Sequence, residues 1–162
     1  MLTDFYELTM MQGFFLNNMA EKISVFDLYY RKNPFGNGYC IFAGLEQAID
    51  YIININFSDD DIKFLREQNC FCDEFLDYLS KFKFTGDIYA LNEGDIAFPN
   101  EPLLVVKAPL IQAQLLESAL LNIINHQTLI ATKASRIKQI TKEDIIFEFG
   151  LRRAQSPEDR KS

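Results

Sequence analysis

Two adjacent arginines, Arg152 and Arg153, follow an apolar run and a glycine in the stretch IIFEFGLRRAQSPED, which begins at Ile145. A guanidinium grips a carboxylate or phosphate through a planar fork that an ammonium cannot copy. Strand ends of this kind are where α/β and barrel folds hold their ligands. Phe149 would add a flat face for an aromatic ligand. These residue types point to binding of a planar or phosphorylated anion. A solvated arginine pair at a surface fits the spacing equally well.

Other candidates are weaker. His126 is the single histidine, with no serine, cysteine or aspartate held beside it by sequence, and reads as structural. Asp59, Asp60 and Asp61 are consecutive, so on a helix they diverge; they read as helix-capping residues, not metal ligands. The glycines form neither GxGxxG nor a Walker loop. The turn Asn92-Glu93-Gly94 resembles that of lipoyl or biotinyl carrier domains but has no lysine for attachment, so a structural module is expected. Cys40, Cys70 and Cys72 have no framework spacing and read as reduced thiols. Tyr6 lies among apolar positions of a helical pattern and by spacing alone reads as core.

The elements that must position these residues alternate in character. Phe5, Leu8, Met11 and Phe15 recur at helical spacing after Asp4, and Glu7 three residues on suggests a capping box, so a helix is expected over about 4–17. ISVFDLYYRK (residues 23–32) reads as a strand, NPFGNG as a turn, and YCIFA as a returning strand. GLEQAIDYIINI has a helical pattern, Ser58 caps a further helix, and Asp73 to Phe82 form a short one. Residues 85–109 carry short β-prone runs between turns. From Leu110 to about Gln139 the pattern is helical, with a break expected near Asn125-His126; Ile145 to Phe149 read as a buried strand, and the last seven residues as a loose tail.

With 162 residues, 48% hydrophobic and 14% aromatic, the chain has material for one packed core. A net charge of −7 argues against general nucleic-acid binding, which needs a basic face. No leader-like segment opens the sequence and no apolar run approaches membrane-spanning length, so a cytoplasmic protein with neither nucleic-acid nor membrane partners is expected.

LTDFYELTMMQGFF, YYRKNPFGNGYCIFAGLEQAIDYI, LNEGDIAFPNEPLLVVKAPLIQAQLLESALLNIINHQTLIATKASRI and EFGLRRAQSPED closely resemble, in that order, the amino-terminal part of the nicotinate phosphoribosyltransferases. That resemblance implies a type II phosphoribosyltransferase, with an α+β amino-terminal domain and an irregular α/β barrel, acting as a homodimer with sites at the subunit interface. It implies transfer of phosphoribose from phosphoribosyl pyrophosphate to nicotinate, coupled to ATP hydrolysis and aided by Mg2+, in NAD salvage. It also implies substrate-binding roles for Tyr6, which would stack on the pyridine ring in a neighbouring subunit, for Phe149 on the opposite face, and for Arg152 and, more weakly, Arg153 toward anions. His126 belongs to the H-x-T-x-x-A-T-K-A-x-R pattern and does not match the phosphorylated histidine of the family, which lies further along together with the acidic partner of the ring nitrogen and the phosphate loops. The fold expected is therefore an α+β domain over 1–140 and the first strand and following loop of an incomplete barrel over 141–162, a fragment inactive by itself, with no catalytic residue, metal ligand or motif binding ATP or Mg2+ of its own. Two alternatives stand beside it: a non-catalytic binding or dimerisation module or remnant, and a quinolinate-type phosphoribosyltransferase.

Overall fold

The computed structural model describes residues 2–36 and 38–154. Helices and antiparallel strands mix in the order α1 (Phe5–Leu16), β1 (Ile23–Leu28), β2 (Cys40–Ile41), α2 (Leu45–Asn54), α3 (Asp59–Glu67), α4 (Asp73–Leu79), β3 (Asp87–Ala90), β4 (Ile96–Ala97), β5 (Leu104–Pro109) and α5 (Leu110–Thr141). Single 3-10 turns lie at Pro34–Gly36 and Leu151–Arg153. The expected tail and Asn37 lie outside the described residues.

Strand β5 is the centre of a three-stranded sheet ordered β1-β5-β3, with Phe26 opposite Val106 and Val106 opposite Ile88. Alternation along β5 explains its placement: Leu104, Val106 and Ala108 are buried, whereas Lys107 points to solvent. Gly86 lets the chain enter β3, because a Cβ there would stand 2.4 Å from that of Ala108. Helix α5 crosses behind both sheets. Ile111, Leu115, Leu116 and Ile124 from α5 join Met11, Phe42, Phe75, Leu76 and Leu79 in one core.

Three expectations are corrected. The YCIFA segment does not return onto β1; β2 pairs with β4, Cys40 opposite Ala97 and Ile41 opposite Ile96. The helix expected to break near Asn125-His126 is continuous for 32 residues. A single Asn or His costs a helix interior only about 0.5 kcal/mol relative to Ala, and burial of Ile123, Ile124 and Thr128 on either side outweighs it. Residues Ile145 to Phe149 are neither a strand nor buried; Ile145, Phe147 and Phe149 are all more than 70% exposed. A strand needs a neighbour to take its amides, and none adjoins this run among the described residues.

The cap expected at α3 forms. Ser58 and Asp61 form a reciprocal capping box, with Ser58 N–H donating to Asp61 at 2.9 Å, and these bonds hold the Asp61 carboxyl below its usual range. Helix α2 is capped from a distance: Glu93, in the turn read as a structural module, accepts from the amides of Gly44 at 2.9 Å and Leu45 at 2.6 Å. The free N–H groups of a helix start favour a carboxylate there. Gly44 sits at φ 104°, in the left-handed region that side chains disfavour.

Candidate functional site

Tyr6 lies in the first turn of α1 and is half exposed, whereas the next residue, Glu7, is completely buried. The expected capping box does not form at this helix start. Both acids turn instead toward α5. Ser118 Oγ lies 2.6 Å from Asp4 Oδ2 and 3.2 Å from Glu7 Oε1, and Gln114 donates from Nε2 to Glu7 Oε2. The same amide group lies 3.3 Å from Glu117 Oε2. Desolvation, and then the nearby charges of Glu7 and Asp4, push the Glu117 carboxyl above the usual glutamate range. The Tyr6 phenol is raised as well, first by the Glu7 carboxylate. The apolar spacing that read Tyr6 as core found the helix but not the orientation of the ring. Glu7, Gln114, Glu117 and Ser118 were not singled out by sequence, since nothing in the spacing brings residues 4–7 against residues 114–118.

The other candidates lie beyond the far end of α5. Phe147 and Phe149 stack with ring centroids 6.3 Å apart, both exposed. Gly150 then accepts from Arg153 N–H at 2.7 Å, closing the turn that projects Arg152 and Arg153 outward, both exposed. Lys138 Nζ reaches back to the carbonyl of Asp144 at 3.1 Å, which ties the start of this segment to the end of the helix. Helix α5 separates the two groups. From Ser118, beside Tyr6, to its last residue Thr141, a rise of ~1.5 Å per residue amounts to roughly 35 Å. Tyr6 is brought together with Asp4, Glu7 and Ser118, and Phe149 with Phe147, but no recorded contact joins Tyr6 to Phe149, Arg152 or Arg153.

Thr128 and Thr132, inside the pattern that contains His126, hold β2 and the residues after it. Thr132 Oγ1 accepts from Ile41 N–H at 2.9 Å, and Thr128 Oγ1 accepts from Ala43 N–H at 3.2 Å. A surface groove of about 460 Å3, lined by Phe15, Tyr78, Lys81 and Gln112 among others, includes none of the candidate residues. Among the described residues no group of three His, Cys, Asp or Glu side chains could hold a metal ion. The cysteines are free thiols: Cys40 is buried, which pushes its thiol up, and Cys70 is exposed.

Comparison with known proteins agrees with this arrangement of elements. Residues 1–125 match the family model described as the nicotinate phosphoribosyltransferase (NAPRTase) N-terminal domain. A nicotinate phosphoribosyltransferase of Bacillus subtilis is 47% identical over 152 residues, covering 94% of this chain and 31% of the relative. One from Dictyostelium discoideum is 44% identical over 161 residues, covering 98% of this chain and 27% of the relative. The crystal structure of human nicotinic acid phosphoribosyltransferase superposes with a TM-score of 0.89 at 34% identity, over 98% of this chain and 32% of that one. The chain thus spans about a third of the length of the relatives it matches. Given a family match over most of its residues and an α+β fold shared with a solved member, the chain belongs to the nicotinate phosphoribosyltransferase family and corresponds to its amino-terminal domain.

Proposed function

We propose that this chain is the amino-terminal part of a cytoplasmic, homodimeric nicotinate phosphoribosyltransferase serving NAD synthesis. In this reading it supplies substrate-binding residues and performs no turnover alone. The observation that carries this is the separation of the candidate residues: Tyr6 stands beside Ser118, while Phe149, Arg152 and Arg153 lie past Thr141. Two ends of one molecule that far apart serve one ligand most simply when two copies meet, Tyr6 of one facing Phe149 of the other. The pyridine ring would then sit between two aromatic faces. Arg152 would take the nicotinate carboxylate in a bidentate fork, and Arg153 would face phosphate oxygens of phosphoribosyl pyrophosphate. Transfer builds positive charge on the ribose as pyrophosphate leaves, so the work of these residues is to hold both reactants in line. ATP and Mg2+ would supply energy coupling and charge neutralisation when bound.

The exposed run from Ile140 to Phe149 supports the same reading, because it offers an apolar face where a barrel domain would pack. The test is a complementation assay. The chain is incubated with nicotinate, phosphoribosyl pyrophosphate and ATP, alone and together with the remaining two-thirds of the Bacillus subtilis relative. Nicotinate mononucleotide should form only in the mixture, and Tyr6→Ala or Arg152→Ala should lower kcat/KM by roughly 100-fold. Turnover by the chain alone, no turnover in a mixture that assembles, or full activity in both variants would overturn the proposal.

A further inference from the structure

We propose that Ser118 is a positioning residue for Tyr6: its hydroxyl, carried on α5, binds Asp4 and so fixes the first turn of α1, from which the phenol projects. The inference rests on the substrate role given to Tyr6 above.

The argument begins with a cap that is not made. Asp4 stands at the N-cap of α1, where an aspartate ordinarily accepts from an amide of the first turn, yet its side chain makes no such bond. It accepts instead from Ser118 Oγ at 2.6 Å, a residue 114 positions away. Asp4 is exposed, so water could satisfy its oxygens and burial does not demand this partner. Nor does the hydroxyl serve only the buried Glu7, because Glu7 Oε1 lies further from it, at 3.2 Å. A local cap has been exchanged for a long-range bond that sets where the helix begins.

Helix geometry shows what that bond controls. Asp4 and Glu7 are three residues apart and share the face turned to Ser118. Tyr6 comes one residue before Glu7, about 100° round the axis, and its ring is half exposed. The chain on either side of Tyr6 is tied as well. Tyr51 donates from its hydroxyl to Leu2 O at 2.7 Å, and Thr9 Oγ1 donates to Tyr6 O at 2.8 Å. The Phe5 ring meets Phe71 edge-on, with centroids 5.6 Å apart. Ser118 adds a tie from the start of α1 to α5, the 32-residue helix beyond whose far end Phe149 and Arg152 lie. A ring set in place before its ligand arrives has less freedom to lose on binding.

The test uses the complemented mixture described above. Ser118→Ala should raise KM for nicotinate about 10-fold while kcat changes by less than about twofold, and Ser118→Thr, which keeps the hydroxyl, should restore it. A variant that merely folds less well lowers the amount of competent enzyme, and so kcat, and leaves KM where it was. In a Tyr6→Ala background Ser118→Ala should add nothing, because a positioning residue has no effect once the ring it positions is gone. Asp4→Ala removes the exposed acceptor; it should reproduce the rise in KM, and it takes the place of Ser118→Ala if that variant does not fold. An unchanged KM in the folded variant overturns the proposal, as does an equal rise with and without the Tyr6 ring. Tyr6→Ala alone reads the substrate role separately. Full activity there refutes that role, whereas a loss there with none in Ser118→Ala refutes only the positioning role.

Discussion

At the scale of single residues, the acidic group beside Tyr6 makes a prediction with a definite sign. Glu117 binds its proton more tightly in the folded chain than in the unfolded one, because burial and then the charge of Glu7 disfavour its ionised form. Below the ordinary glutamate value both states hold the proton and nothing is lost. As pH rises from about 4.3 through the raised native value, the unfolded state ionises first, and the folded state loses stability relative to it. Glu117→Gln should therefore stabilise the chain at neutral pH and flatten the dependence of urea midpoint on pH in mild acid. The effect should be small and shrink with added salt, since Glu117 is only partly buried. Asp61 acts in the opposite direction: its carboxyl is lowered by the Ser58 hydrogen bonds, so its contribution is present above the usual aspartate range and fades as pH falls through the native value. A wild-type chain whose midpoint is unaffected by Glu117→Gln at every pH would refute the assignment of strain to Glu117.

At the scale of elements, the long helix and the short strand it holds depend on two threonines. Thr132 is wholly buried, accepts from Ile41 N–H and donates to Thr128 O at 2.6 Å. Replacing it with isosteric valine keeps the volume but leaves the Ile41 amide without its acceptor, at a cost of about 1–3 kcal/mol. Hydrogen exchange at Ile41 should accelerate in Thr132→Val, with a matching drop in urea midpoint; unchanged protection would show that the amide has another acceptor. This ladder also marks where sequence reading stopped. Helices α1 to α4 were legible because their apolar spacing is local, and α3 also because its cap is, Ser58 with Asp61. The partner of β2 was not, since two residues carry no register and the pairing with β4 joins positions more than fifty apart. The continuity of α5 was hidden for a similar reason: packing on both sides of Asn125 outweighs its weak local preference. Tyr6, Phe149 and Arg152 were visible as types, and the family resemblance marked them for substrate. The placement of Tyr6 beside Ser118 and the exposure of Phe149 emerge only from the assembled fold.

For the molecule as a whole, the two ends of α5 face opposite circumstances. The end near Leu115 is enclosed by core, while beyond Ile137 the surface carries Ile140, Ile145, Ile146, Phe147 and Phe149 in partial or full exposure. Isolated apolar residues at a surface are ordinary, but a run of this kind favours association, because each large side chain removed from water contributes about 1.5–3 kcal/mol. The chain alone should therefore self-associate with increasing concentration, as read by sedimentation velocity. Phe147→Asp combined with Ile140→Asp should shift it toward monomer without altering the far-ultraviolet circular dichroism, since neither side chain belongs to the buried core. Supplying the remaining two-thirds of the Bacillus subtilis relative should suppress self-association of the wild type by covering the same face. If the double variant associates as strongly as the wild type, the contact lies elsewhere, and the outer face of the sheet, where Ile23, Val25 and Tyr89 are exposed, becomes the surface to mutate next.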